Sequence, residues 1–462
     1  MDRSSLAVRT VKSVAGLSAG AAAGLAVALL TSTAVAYRLT PDVQEPSIEA
    51  THLPPLLTAP DEQVELRYSV YCLSSDEEPD TPCDAAGAAF VRTGNEGPFR
   101  EISVEDDPAA DEGRFVARVP REISTSRTGF SYYTVFRSKA SGATVTLPAG
   151  GAAAPQQSMP LAPSVDVRLG SHLFGATRRA SDRVVQSAWG SGPGEVGLEQ
   201  GRNLTAIGGS AFDVDRSGVV YVLDEANRRL LRWSNGSVAP TGVPLSINGT
   251  LADMSVDGEG RIHVLETTSD RGRARLLRTF GRDGAAESAT EIAERASQVR
   301  IGPDGPVVLQ QPSGQWMTTA IDGRPSTLSA QRRSGRSARS FPGGYEVVVL
   351  RSGNEIRAAL VSPRGIRHTW RVTSATPLAE IQLAEPLGER LVLVTRVYTD
   401  DRDEFLALVL DQRGVRRRFS LDSADWAETA PLSRFRVVGS SLFQLGSTPA
   451  GLFVDRFDLE VK

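Results

Sequence analysis

Only four imidazoles occur in this chain of 462 residues, at His52, His172, His263 and His368. Acid–base or metal chemistry needs such groups gathered and oriented by carboxylates. These four are spread along the chain, so they predict no His-based catalytic or metal site. Asp213, Asp215, Asp253 and Asp257 form a tighter set, near two short apolar runs. A Ca²⁺ ion among them is one reading; turn carboxylates of hairpins are the commoner one. No His-Glu-x-x-His is present, and no residue is assigned a catalytic role.

The two cysteines, Cys72 and Cys83, bracket the acidic, Pro-containing stretch 76–82. Their compartment decides how they read, and the start of the chain supplies it. Arg3, Arg9 and Lys12 precede an uncharged run over 13–37, rich in Ala, Gly, Leu and Val. Such a run is long enough to span a bilayer as one helix, and basic residues before it stay cytoplasmic. Ala34-Val35-Ala36 also has the small-x-small form of a signal-peptidase site. Residues 1–37 therefore read as a signal peptide or an uncut anchor, and both place the body outside the cytoplasmic membrane. In that oxidising setting Cys72 and Cys83 are expected to form a disulfide. The formal charge is −4 overall, and −6 without residues 1–36. That is the wrong sign for a nucleic-acid binder.

Positioning elements follow from periodicity. Residues 38–60 carry five prolines and read as a linker. Val64, Leu66, Tyr68, Val70 and Cys72 alternate with polar neighbours, as do Phe115, Ala117 and Val119, and Phe130, Tyr132, Thr134 and Phe136. Period-two runs broken by Pro, Gly and Asp predict a small β-sandwich over 61–148. The stretch Gly129–Val135, GFSYYTV, resembles the penultimate strand of immunoglobulin and fibronectin type III domains. Residues 149–162 read as a second linker.

From residue 163 onward the pattern repeats. Equivalent strand ends fall at Trp233, Phe280, Ile321, Val361, Val409 and Phe457, spaced by 47, 41, 40, 48 and 48 residues. Strand repeats of this length predict a β-propeller, here of six blades over 163–462. The last blade shows three strands of its own, and 183–189 is expected to complete it beside 453–459. The whole fold class is then all-β: one N-terminal helix, a sandwich and a propeller. Val219–Arg229, with Asp224 and Asn227 in an Asp-x-x-Asn-x-Arg turn, resembles the NHL repeat. The resemblance implies that Asp224, Asn227 and Arg228 hold a turn rather than form a site. NHL-type propellers include binding scaffolds as well as lyases and lactonases, so it does not decide function.

Short Gly turns are expected on one face and long connections, 266–273, 331–342, 398–404 and 423–433, on the other. The long-loop face is the expected binding face. Its candidate ligand-binding residues are Trp426, Tyr398, Asp401, Arg402, Arg333, Arg336 and Asp270. The reading is an exported, membrane-tethered scaffold engaging a cell-envelope protein or polysaccharide, without nucleic acid or cofactor. The alternative is a lyase- or lactonase-type enzyme with a metal such as Ca²⁺ in the central channel.

Overall fold

The structure is a computed structural model. It describes residues 47–460 except 61, 74–80, 162, 202–204, 235–236, 238, 248–252, 268–274, 293–295, 303–304, 311–315, 319, 322–323, 326–331, 334–335, 338–344, 363 and 430–432. The leader 1–37 lies outside the described residues. Among the described residues no helix is long and apolar enough to cross a membrane.

The N-terminal part is a continuous nine-stranded set around one core. Its order is Ser47–His52, Glu65–Leu73, Arg114–Arg118, Arg100–Asp106, Ala85–Thr93, Phe130–Ser138, Gln156–Pro160 and Leu57–Thr58, with Thr144–Leu147 also paired to Phe130–Ser138. The alternation seen in sequence points inward: Leu66, Val70, Phe115, Ala117, Phe130, Tyr132 and Phe136 are buried together. The strand Arg100–Asp106 changes partner along its length. Its first half pairs with Ala85–Thr93, while Glu105 and Asp106 pair with Val116 and Phe115. One strand thus joins the two halves of the sheet. Cys72 and Cys83 form a disulfide with a sequence separation of 11.

Both stretches expected as linkers contribute strands. Ser47–His52 adds an edge to Glu65–Leu73, and Leu57–Thr58 pairs in parallel with Gln156–Pro160. The prolines at 46, 54 and 55 flank the first strand instead of dissolving it, because its interior keeps every N–H. Leu56, Leu57 and Leu161 pack with Val348 and Ala359 of the following sheets. Arg357 bonds the Leu57 carbonyl at 3.0 Å and also pairs with Glu62. The N-terminal sheet is therefore seated directly on the C-terminal sheets.

Residues 165–458 form, among the described residues, six sheets of four or five strands. Their cores are antiparallel strands consecutive in sequence, except that Arg332–Arg333 follows Trp316–Thr318 in its sheet, Ala320–Ile321 and Arg324–Pro325 forming a separate two-stranded sheet. The innermost strands Phe435–Val438, Ala211–Val214, Asp253–Val256 and Ala296–Gly302 neighbour one another in turn. Glu346–Ser352 neighbours Leu378–Leu387, which neighbours Phe435–Val438. The last sheet is closed by the early strand Asp182–Ala188, antiparallel to Gly451–Asp458 with Val185 opposite Val454. This is the β-propeller arrangement, with an early strand completing the final sheet.

The first two sheets show why their hairpins form. Asp215 accepts the N–H groups of Ser217 and Val219, the Ser217 hydroxyl and the Tyr221 hydroxyl. One repeat later, Asp257 accepts the N–H groups of Glu259 and Arg261, the Arg261 guanidinium and His263. Gly218 and Gly260 take φ of 84° and 85°, which favours a residue without Cβ.

One feature has no counterpart in the sequence reading. Val165–Arg168 pairs in parallel with Gly365–Thr373 as a fifth strand. The chain then runs across the 378–421 sheet, where Arg418 bonds the Leu169 carbonyl and Arg178 N–H donates to Ser420, before reaching the closing strand. This strap links three consecutive sheets.

Candidate binding face and the charged axis

Where the innermost strands converge, charge is buried. Asp213, Asp253, Arg300 and Arg436 come from four different strands, and none is more than 4% exposed. Asp253 is the hub. One carboxylate oxygen accepts Arg300 Nη1 at 2.7 Å and Val299 N–H at 2.8 Å. The other accepts Arg436 Nη2 at 3.1 Å and the Ser433 hydroxyl. Asp213 accepts Val256 N–H at 2.7 Å and the Ser255 hydroxyl at 3.1 Å, with Arg436 Nε at 3.8 Å. Burial and the nearby Arg300 pull Arg436 down to about 10, against the attraction of Asp253 and Asp213. It remains cationic at neutral pH, so the cluster is ionic and its desolvation is offset by pairing and hydrogen bonds.

These residues do not fit a channel metal. The carboxylate oxygens of Asp253 are each taken by a guanidinium and a second protein donor. Asp213 is likewise engaged. Among the described residues no group of three or more His, Cys, Asp or Glu gathers in metal-binding geometry. Asp215 and Asp257, grouped with them in the sequence, are turn caps away from this cluster. Burial alone would raise the Asp257 carboxyl. The hydrogen bonds from His263 and from the Arg261 side chain and N–H outweigh it and hold the group well below the usual carboxylate range.

The four histidines sit in four places. His52 is half-buried in the N-terminal sheet, stacked on Tyr68 at 4.4 Å. Its Nδ1–H donates to the Arg67 carbonyl, and Nε2 accepts from the Tyr132 hydroxyl. Burial depresses its pKa to about 4. A cavity of about 400 Å³ opens beside it, also lined by Arg67, Asp107 and Arg114. His172 is buried in the strap, with Nε2 2.9 Å from Glu404. Glu404 also accepts Gly175 N–H, so this pair pins the strap to the sheet beneath. His263 is the turn clamp described above. His368 lies tilted against Trp370 at 5.8 Å.

The NHL-like turn behaves as a structural device, with one correction. The cation that pairs with Asp224 is Arg229, at 2.8 Å, and not Arg228, which takes φ of 51°. Asn227 donates to Asp224 at 2.9 Å and to the Gly190 carbonyl at 3.0 Å. Arg229 also reaches the carbonyls of Gly192 and Glu195, so the turn ties the incoming 189–197 segment to its sheet.

Of the candidate rim residues, Tyr398, Asp401 and Arg402 lie at the 398–403 hairpin and Trp426 in the connection between the 378–421 and 435–458 sheets. Tyr398 ends the second strand of the 378–421 sheet and is 41% exposed. Asp401 and Arg402 form the following turn; their charges are 3.7 Å apart and both are exposed. Trp426, in the connection to the next sheet, is half-buried against Trp189, with ring centroids 5.9 Å apart. That connection is anchored by pairing of Asp425 with Ser447 and Glu428 with Ile207. Arg434 lies within electrostatic reach of Asp425, Arg396 and Asp403, which brings the two connections together. Arg333 and Arg336 were expected on a free loop. Their backbones instead lie in two-residue strands, Arg332–Arg333 against Trp316–Thr318 and Arg336–Ser337 against Glu346–Ser352. Asp270 lies outside the described residues.

The sequence reading missed Arg300 and Arg436. A signal was present: each is a lone cation in a short apolar strand, VRI and FRVV. A charge there is buried and needs a partner.

No known family profile matches the chain, and no curated protein matches it in sequence. Among solved structures it is similar to virginiamycin B lyase from Staphylococcus aureus, at 9% identity and TM-score 0.32 over 54% of this chain and 94% of that one. It is also similar to YCF48 bound to D1 peptide, at 11% identity and TM-score 0.30 over 60% and 99%. BamB from Moraxella catarrhalis matches at 11% identity and TM-score 0.27 over 54% and 83%. These are β-propeller proteins. The propeller assignment here rests on the pairing of this chain's own strands.

Proposed function

We propose that this chain is an extracytoplasmic binding protein. In this reading the leader exports or tethers it, an immunoglobulin-like domain follows, and a six-bladed, NHL-like propeller presents its long-loop face to a cell-envelope protein or polysaccharide. The observation that carries the reading is convergence. Trp189, the 396–403 hairpin and the 425–434 connection bring aromatic and charged groups of both signs to one face from three separate segments. The axis supports it from the other side, because its charged groups are spent on one another. The disulfide agrees with an oxidising compartment.

Photo-crosslinking in intact cells tests this. A photoreactive residue replacing Tyr398 in the full chain is expected to give a discrete adduct with an envelope component. The same residue replacing Glu259, on the short-turn face, is expected to give none. Equal labelling from both positions, or none from Tyr398, contradicts the reading.

A further inference from the structure

A second charged surface lies away from the long-loop face and belongs to no device described so far. It is a small cavity of about 210 Å³ on the short-turn face, between the 378–421 and 435–458 sheets. Its walls are Arg390, Arg416 and Arg417, its apolar floor Val409 and Leu459, and its one carboxylate Glu460.

Among the described residues, guanidiniums outnumber carboxylates here. Glu460 meets Arg390 at 3.0 Å with one oxygen and is 57% exposed. Arg416 reaches Asp411 at 3.3 Å from an exposed position. Arg417 spends its guanidinium on the main-chain carbonyl of Glu460. A fourth cation, Arg178, donates to the carbonyl of Asp458 at 3.0 Å. Arg178 and Arg417 both lie over the ring of Phe419, at 4.7 and 5.9 Å. Burial and the nearness of Arg417 lower Arg178, while the Asp458 carboxylate offsets them in part. The Phe419 ring and the carbonyls of Asp458 and Glu460 hold these two cations side by side, and their mutual repulsion is relieved when an anion joins them.

Guanidiniums on several sides of a small cavity match an oxyanion with donors in more than one direction. The apolar floor matches an ester substituent better than a bare ion. We infer that this cavity binds the phosphate group of a phosphate ester, held by Arg390, Arg416 and Arg417. A lipid headgroup and a soluble phosphoester share this chemistry.

The test uses the full chain and the double variant R390Q/R416Q, changes at a half-buried and an exposed position. R127Q, which removes an exposed charge from the N-terminal sheet region, is the control. Titration with inorganic phosphate is expected to show saturable one-site binding, weakened about tenfold or more in the double variant and unchanged in R127Q. Vesicles of phosphatidylcholine with and without phosphatidylglycerol identify the source. Binding gained with phosphatidylglycerol and lost in R390Q/R416Q assigns a lipid headgroup. Loss of phosphate binding with unchanged vesicle binding assigns a soluble phosphoester. No saturable phosphate binding by the wild type, or equal binding by a correctly folded R390Q/R416Q, overturns the proposal.

Discussion

The axis and the long-loop rim are built from the same residue types and use them in opposite ways. At the axis, Arg436 and Asp253 are each 2% exposed and meet at 3.1 Å. At the rim, Arg402 and Asp401 have side chains 63% and 77% exposed and meet only loosely. The first pair has lost its water, so removing one member strands a buried charge. The second keeps its water and contributes little to folding. Charge at the axis holds sheets together; charge at the rim faces solvent.

Breaking that contrast gives a graded series of expected effects. Arg436→Ala leaves Arg300 paired with Asp253 but takes a guanidinium from the buried Asp253 and Asp213, and is expected to cost about 3 kcal/mol in urea unfolding. Cys72→Ser opens a loop of separation 11 in the N-terminal sheet and should cost about 3 kcal/mol by loop entropy. That loss should leave the propeller's own transition in place if the two regions unfold separately. Asp257→Asn keeps the side chain's shape but loses acceptors for Arg261 and His263. A loss of about 1–2 kcal/mol is expected, and the variant should be less sensitive to acid. The wild-type carboxyl lies below its unfolded value, so its contribution is present at neutral pH and fades as pH falls below that value.

His52 adds a pH effect of opposite chemical origin. Its folded pKa, about 4, lies below the unfolded 6.5. Between these values the unfolded chain holds a proton that the folded chain refuses. Stability from this group is complete above about 6.5 and declines as pH falls toward 4. Unfolding near pH 5 should therefore take up close to one extra proton, and His52→Gln should abolish that uptake. The smallest effect belongs to the rim: Arg402→Gln should change stability by less than about 0.5 kcal/mol.

What could be read from the sequence was whatever is local. Asp215 and Asp257 with their glycines announce hairpins, because turn chemistry is written within five residues. The closing strand was found by counting strands, since a ring leaves one place unfilled. The parallel strand Val165–Arg168 was invisible: pairing with a partner two hundred residues away leaves no mark on four residues. The prolines near Ser47–His52 suggested a linker because they mark strand ends and linkers alike. Arg300 and Arg436 carry a signal, a lone cation among apolar strand residues, but their partners Asp253 and Asp213 lie on other strands and leave no mark beside them. Tyr398 stands at a strand end and Trp426 in a connection between strands, as the polar stretches beside them announce. Arg333 and Arg336 lie in two-residue strands, which can form inside a polar stretch that has no alternation to reveal them.

Two double-mutant cycles, read by denaturant unfolding, test the central contrast most directly: Arg436 with Asp253, and Arg402 with Asp401. The axial pair is expected to show a coupling above about 2 kcal/mol and the rim pair one below about 0.5 kcal/mol. Equal couplings, or an axial pair that uncouples without loss, would contradict the assignment of a structural role to the buried axial charge.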